Sequence, residues 1–173
     1  MMKQNAHTYF SIIVGFFFTL SAKAQELISL DEFEFKTSSK ISSQLLMKYD
    51  QFFTFIFQIT PNHLGLSNGK GLRLDYTSQG HYLFIAIDDD KPFAIYDSQI
   101  KQTVEGEHVT IETGKAYDLT INVHSSGVEA TLIDEKGQSS MLCYEKEIGS
   151  EISVFLQCQR SGATFQNVSM TAL

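Results

Sequence analysis

The sequence predicts an all-β protein, a sandwich of antiparallel strands, and three observations carry that prediction. Lys115 to Gly137 (KAYDLTINVHSSGVEATLIDEKG) reads as a hairpin: Tyr117, Leu119, Ile121 and Val123 alternate with Asp118, Thr120, Asn122 and His124, Ser125-Ser126-Gly127 turns the chain, and Val128 to Ile133 returns antiparallel before a second turn at Asp134-Glu135-Lys136-Gly137. Short extended runs recur at short, regular spacing between Gly, Asn, Asp and Ser turns, with only 2 prolines to interrupt them. No internal repeat, low-complexity linker or heptad run is present.

The chain opens with a stretch that stands apart from the fold. Met1 to Tyr9 carries Lys3 and no acid, Phe10 to Leu20 (FSIIVGFFFTL) is apolar, and Ala22-Lys23-Ala24 is a small-residue cleavage pattern. Residues 1–24 therefore read as a signal peptide, since the apolar run is about half of the ~20 residues that a membrane span needs. No cysteine sits beside the cleavage pattern to take a lipid, and no later apolar stretch reaches spanning length. The expectation is a protein secreted or delivered to the periplasm, with residues 25–173 as one domain large enough for a sizeable core.

Two of the 13 basic residues and none of the 20 acids fall in residues 1–24, so the mature chain carries 11 basic residues against 20 acids. That acidic balance argues against nucleic acid and anionic membrane surfaces, which are held by clustered Lys and Arg. The 2 cysteines, Cys143 and Cys158, leave two readings open. An oxidising compartment permits a disulfide between neighbouring strands, while the phase of Cys158 with Ile152, Val154 and Leu156 equally fits a buried thiol.

Taken in order, the mature chain offers a loose alternation over Ile28 to Phe35 and then Ile41 to Tyr49 (ISSQLLMKY), which fits a helical face or a strand and is assigned to a strand. Phe52 to Thr60 (FFTFIFQIT) is apolar on both faces, as expected of a central strand covered on both sides. A loop with Gly65, Gly69 and Gly71 leads to Leu72 to Thr77, where Leu72, Leu74 and Tyr76 alternate with Arg73, Asp75 and Thr77. Tyr82 to Ile87 (YLFIAI) is wholly apolar and runs into Asp88-Asp89-Asp90; Phe93 to Tyr96 is shorter, and His108 to Glu112 leads through Gly114 to the hairpin. Met141 to Tyr144, Ile152 to Cys158 and Ala163 to Met170 complete roughly ten to twelve strands, a sandwich or barrel pattern.

The order FTFIFQI, a glycine loop into GLRLDY, YDLTINV turning into VEATLID, then ISVFLQC and ATFQNVSM resembles the concanavalin A-like lectin/glucanase superfamily, in particular its laminin-G-like members. It extends from about Phe52 to Met170. The resemblance implies a jelly roll of two antiparallel sheets, one concave, whose members bind sugars, proteins or calcium and in some cases hydrolyse glycans.

Catalytic candidates are weak. The resemblance implies, for hydrolytic members, two glutamates flanking an aspartate on one strand, placing two carboxyls as nucleophile and general acid. Glu32 with Glu34, and Glu145 with Glu147, lack the third acid and read as solvent-facing strand residues. No nucleophile elbow of the G-x-S-x-G kind occurs. Asp88 and Asp90 point the same way in an extended chain and offer hard oxygen ligands, so a Ca²⁺ site there is the one metal expectation; no cofactor is required.

Sugar recognition needs aromatic faces and planar polar groups. In a chain with 0 Trp, the candidates are Tyr76, Tyr82 and Tyr96 with Arg73, Asp75 and His81, against the plainer reading of half-buried strand tyrosines. Asn167-Val168-Ser169 matches a glycosylation sequon. The expectation is an exported, non-catalytic binding module for glycan. The alternatives are a glycoside hydrolase of the same fold and a structural module that binds another exported protein.

Overall fold

In the computed structural model the chain is described over residues 29–35, 41–49, 52–63, 69–77, 79–88, 91–107, 109–149 and 151–172. The expected signal peptide lies outside these residues. Among the described residues there are twelve strands: β1 (Ser29–Phe35), β2 (Ile41–Tyr49), β3 (Phe53–His63), β4 (Lys70–Asp75), β5 (Tyr82–Ile87), β6 (Ala94–Asp97), β7 (Gln102–Glu105), β8 (Tyr117–His124), β9 (Gly127–Asp134), β10 (Ser139–Glu145), β11 (Ile152–Gln159) and β12 (Gly162–Ala172). They form two six-stranded sheets, β1-β12-β3-β8-β9-β10 and β2-β11-β4-β5-β6-β7, with every pairing antiparallel. The protein is an all-β jelly-roll sandwich, and no helix occurs among the described residues.

Alternation along each strand sends one set of side chains inward. From the first sheet these are Phe53, Phe55, Phe57 and Ile59 of β3, with Leu119, Ile121, Leu132, Phe165 and Met170 beside them. From the second come Leu72, Leu74, Leu83, Ile85, Ile95, Val154 and Leu156, all buried in one cluster. The β3 rings meet edge to face, with centroids 6.5 Å apart for Phe53–Phe55 and 5.7 Å for Phe55–Phe57. β12 changes phase to stay in this core. A bulge between Gln166 and Ser169, with Asn167 at φ 53°, lets Phe165, Val168 and Met170 all face inward although 165 and 168 differ in parity.

The hairpin forms as expected, with His124 opposite Gly127. Gly127 sits at φ 147°, and a Cβ there would collide with the Tyr144 carbonyl oxygen of β10, so only glycine fits. The second turn is tied by Asp134, whose Oδ1 accepts the Lys136 and Gln138 N–H groups.

Two expectations change, and the open reading of the cysteines is decided. β3 is central in its sheet but covered on one side only: Ile56 is 45% exposed, and the outward side chains Thr54 and Gln58 bond Asn122 and Asp118 across to β8. The disulfide is absent. Cys143 lies exposed on β10 and Cys158 buried on β11, in different sheets, so the two are not on neighbouring strands. Within His108 to Glu112 the described residues form no strand. Val109 and Ile111 instead bury in the core where the chain crosses between sheets. Tyr117 secures that crossing, its hydroxyl donating to the Thr110 carbonyl and accepting from the Glu112 N–H.

Two outcomes are expected from this packing. Phe57→Ala lowers the unfolding free energy by about 3–5 kcal/mol, as large-to-small changes in a filled core do, whereas Ile56→Ser stays within about 0.5 kcal/mol of wild type; urea melts of both variants distinguish them. Burial pushes the Cys158 thiol up to about 12, so thiol titration with a chromogenic disulfide reports one fast thiol, Cys143, in the native protein and two after denaturation. A count of none in the native and denatured states would mean a disulfide.

Candidate functional site

The second sheet turns its outward face into the most structured surface of the molecule, and strand register builds it row by row. One row runs Phe155, Arg73, Phe84, Tyr96 and Thr103 across β11, β4, β5, β6 and β7; the next runs Gln157, Gly71, Ala86, Ala94 and Glu105. Cross-strand neighbours in such rows stand about 5 Å apart and act on one another directly. The first row is bulky, and the second is small at Gly71, Ala86 and Ala94, between Gln157 and Glu105. Their difference in height makes a trough that crosses the strands.

Arg73 organises one wall. Its Nε and Nη2 donate to Asp75 Oδ1 and Oδ2 at 2.6 Å and 3.0 Å, a bidentate pair, and Nη1 reaches Gln157 Oε1 at 3.5 Å. The guanidinium lies 4.1 Å from the Tyr82 ring centroid and 5.5 Å from that of Phe155, so it is held between two aromatic side chains. Tyr82 in turn leans on Tyr96, centroids 6.1 Å apart and planes at 56°. Because each of these side chains is fixed by the next, a ligand meets rings that are already ordered.

The groove beside this wall has a volume of about 570 Å³ and is lined by Tyr82, Phe84, Ala86, Ala94, Tyr96, Thr103 and Glu105, with Asp88, Lys91 and Pro92 at one end and Gly69 and Gln159 at the other side. Its floor depends on absent side chains. A Cβ on Gly69 would come within 2.8 Å of the Phe84 ring, and one on Gly71 would collide with the Ile85 carbonyl oxygen. Lys91 donates to Asp88 at 2.7 Å.

Of the residues singled out in the sequence, Tyr82, Tyr96 and Asp88 line this groove, and Arg73 with Asp75 forms the brace behind Tyr82. Two are elsewhere. Tyr76 is 5% exposed and faces the interior, in phase with Leu72 and Leu74. His81 sits in the turn before β5, where its backbone N–H donates to Thr77 Oγ1 and its carbonyl accepts from the Tyr76 N–H. For calcium, Asp90 lies outside the described residues, Asp88 is engaged by Lys91, and no group of three carboxylate, imidazole or thiol side chains forms a metal cluster among the described residues. Sequence reasoning missed Phe155, Glu105 and Gln159. Phe155 carried a signal, being out of phase with Val154 and Leu156.

Tyr76 belongs to a second constellation under the same strands. Asp97, fully buried at the inward end of β6, accepts from Tyr76 at 3.1 Å, Tyr144 at 2.8 Å, the Gln99 N–H at 2.8 Å and the Lys146 ammonium at 3.0 Å. Tyr144 lies on β10 and Lys146 just beyond it, so the carboxylate ties the two sheets together. Burial pushes the Asp97 carboxyl up, but the hydrogen bonds from Lys146, Tyr144, Gln99 and Tyr76 outweigh it and hold the group below its ordinary value. Burial also opposes the Lys146 charge, and the bond to Asp97 overcomes it, leaving the ammonium with a raised value. Burial and the bond to Asp97 push the Tyr144 hydroxyl up to about 12.

No family model matches the chain, and no curated protein matches it in sequence. Solved structures do match its fold. The carbohydrate-binding module CBM66 from Bacillus subtilis aligns with a TM-score of 0.59 at 16% identity, over 86% of this chain and 97% of that one. A Lotus tetragonolobus seed lectin aligns with 0.61 at 12% identity, over 85% and 93%. Scytalido-glutamic peptidase, solved with a transition state analog inhibitor, aligns with 0.55 at 15% identity, over 79% and 82%. Identities this low speak to the fold alone, and the same jelly roll carries binding modules and a peptidase.

The Asp97 constellation gives stability a defined pH window. Asp97 is lowered in the fold, so its contribution is full above the unfolded value of about 4 and fades as pH falls through the folded value. Tyr144 is raised, so its contribution is full below about 10 and fades as pH rises toward about 12. Asp97→Asn is expected to cost about 2–3 kcal/mol at neutral pH, below the cost of breaking a fully buried pair because Lys146 keeps 20% of its side chain in solvent. It should also flatten the acid limb of a Tm-against-pH curve, and Tyr144→Phe the alkaline limb. Limbs unchanged in both variants would assign the pH dependence to other groups.

Proposed function

We propose that residues 25–173 form an exported carbohydrate-binding module and that the outward groove of the β2-β11-β4-β5-β6-β7 sheet is its binding surface. The observation that carries this reading is the braced aromatic wall: Tyr82 fixed by Arg73 and Asp75, and Tyr96 fixed by Tyr82, beside a floor of Gly69, Ala86 and Ala94. Pyranose rings present flat C–H faces and a rim of hydroxyls; tyrosine rings meet the first, and the Gln159 amide, Thr103 hydroxyl and carboxylates at the groove meet the second. That the fold neighbours include a carbohydrate-binding module and a lectin agrees with it. Export follows from the leader pattern in residues 1–24.

A second reading, glycan hydrolysis, is favoured by one observation: two carboxylates, Asp88 and Glu105, line the same groove. The first reading is preferred because Asp88 Oδ2 is already engaged by the Lys91 ammonium at 2.7 Å, so the two carboxylates are not presented to the groove as a matched pair. Release of reducing sugar from a polysaccharide panel, abolished by Glu105→Gln, would reverse that preference.

The binding reading is tested on a glycan array followed by titration calorimetry on whichever glycan is retained. Tyr96→Ala and Tyr82→Ala are each expected to weaken affinity about tenfold, equal to ~1.4 kcal/mol, while Thr131→Ala on the opposite sheet leaves it unchanged. Retention of no glycan by wild type, or wild-type affinity in both tyrosine variants, would refute the assignment.

A further inference from the structure

We propose that the groove is selective for uncharged polysaccharide chains lying across the strands, and that it rejects acidic ones. The inference rests on the binding reading above and adds the class of ligand and its direction. Charge carries the first part. All three guanidinium nitrogens of Arg73 are engaged, Nε and Nη2 by the Asp75 carboxylate and Nη1 by Gln157. Lys91 is paired with Asp88 at 2.7 Å. Both cations at the groove are thus neutralised by carboxylates of this chain.

Glu105 is the charged lining residue that has no hydrogen-bond or ion-pair partner among the described residues. A uronate or sulfate entering the groove would find no uncommitted cation and would face Glu105, in a module that carries 11 basic residues against 20 acids. Repulsion of that kind discriminates between ligands that attraction alone would accept together. A neutral chain is subject to no such repulsion, and its hydroxyls can donate to Glu105.

Direction follows from the trough. The small lining residues Ala86 and Ala94 are register partners on β5 and β6, with Gly69 just ahead of β4 beside them, so the low line runs across the strands. From β11 to β7 it spans four inter-strand steps, about 19 Å, room for several pyranose units in an extended chain. The lining reaches Gln159 on β11 on one side and Thr103 and Glu105 on β7 on the other. Affinity should therefore rise with chain length before it levels off.

The test uses the mature protein in affinity electrophoresis against neutral polysaccharides (glucan, mannan, xylan, fructan) and acidic ones (polygalacturonate, alginate, a sulfated galactan) at about 0.15 M salt. Wild type is expected to be retarded by at least one neutral polymer and at least tenfold less by every acidic one. Glu105→Lys is expected to shift the acidic-to-neutral affinity ratio at least tenfold toward acidic polymers, and Glu105→Gln about threefold, with thermal melts confirming that both variants fold. Oligosaccharides of the retained neutral polymer should bind more tightly as they lengthen. Wild-type retardation by acidic polymers equal to or above neutral ones, or an unmoved ratio in Glu105→Lys, would overturn the selectivity while leaving carbohydrate binding in place. No retardation by any polymer would bring down the binding reading and this inference with it.

Discussion

The match between two apolar faces is the constraint on which the molecule depends. Phe53, Phe55, Phe57 and Ile59 on one sheet, and Leu72, Leu74, Leu83 and Ile85 on the other, belong to one buried cluster that takes apolar surface out of water. Strand alternation makes that match one-sided. Each residue committed inward leaves its neighbours outward, so the packing that stabilises the sandwich also frees an outer surface of fixed geometry. Arg73, Tyr82 and Tyr96 stand on that surface by the same parity that places Leu72, Leu83 and Ile95 in the core.

Asp97 is the exception to the apolar rule at the inward end of β6, and its position gives it reach beyond stability. It follows Tyr96 directly, so the carboxylate that pins Tyr144 and Lys146 across the sandwich also fixes the strand that carries the outer ring. Close by, Ser98 accepts the Tyr82 N–H through its side chain at 2.7 Å and donates its own N–H to the Tyr82 carbonyl. The two tyrosines are therefore held from below by a polar network and from beside by Arg73. A buried ion pair is poor evidence for stability as such, because desolvation offsets much of the attraction. Here its consequence is positional: it sets where one end of the groove wall stands.

How far the sequence reveals this arrangement differs from element to element. β5 has the predicted bounds, Tyr82–Ile87, and β8 and β9 the predicted turn, because period-two alternation and turn chemistry are local signals. β7 was not legible: Gln102–Glu105 has a single apolar residue, Val104, as suits a short edge strand with little to bury. The two-sided apolar runs were ambiguous for a physical reason. FTFIFQI and YLFIAI have similar patterns, yet Phe84 is 5% exposed and Ile56 is 45% exposed. What covers an outward residue comes from other strands, here Arg73 and the tyrosines, and no local pattern records it. Parity alone could have removed Tyr76 from the candidate site and added Phe155. The Asp97 network joins residues 47 positions apart and had no sequence signal.

The two outer faces differ in the side chains that the described residues present. On the first sheet the outward residues satisfy one another: Thr54 donates to Asn122 at 2.8 Å, Gln58 to Asp118 at 3.0 Å and Asn62 to Thr164 at 3.1 Å. These pairs alternate with exposed apolar side chains, Ile56, Ile133 and Met141, on the same face. On the second sheet a bulky row lies next to a row of glycine and alanine, and the height difference between them is the groove. Relief therefore follows from side-chain volume read across the register, a quantity that no single strand contains. A glycine at position 71 matters less for its own flexibility than for its close approach to β5, since a Cβ there would collide with the Ile85 carbonyl oxygen. The surface available to a ligand is set jointly by β4, β5 and β6.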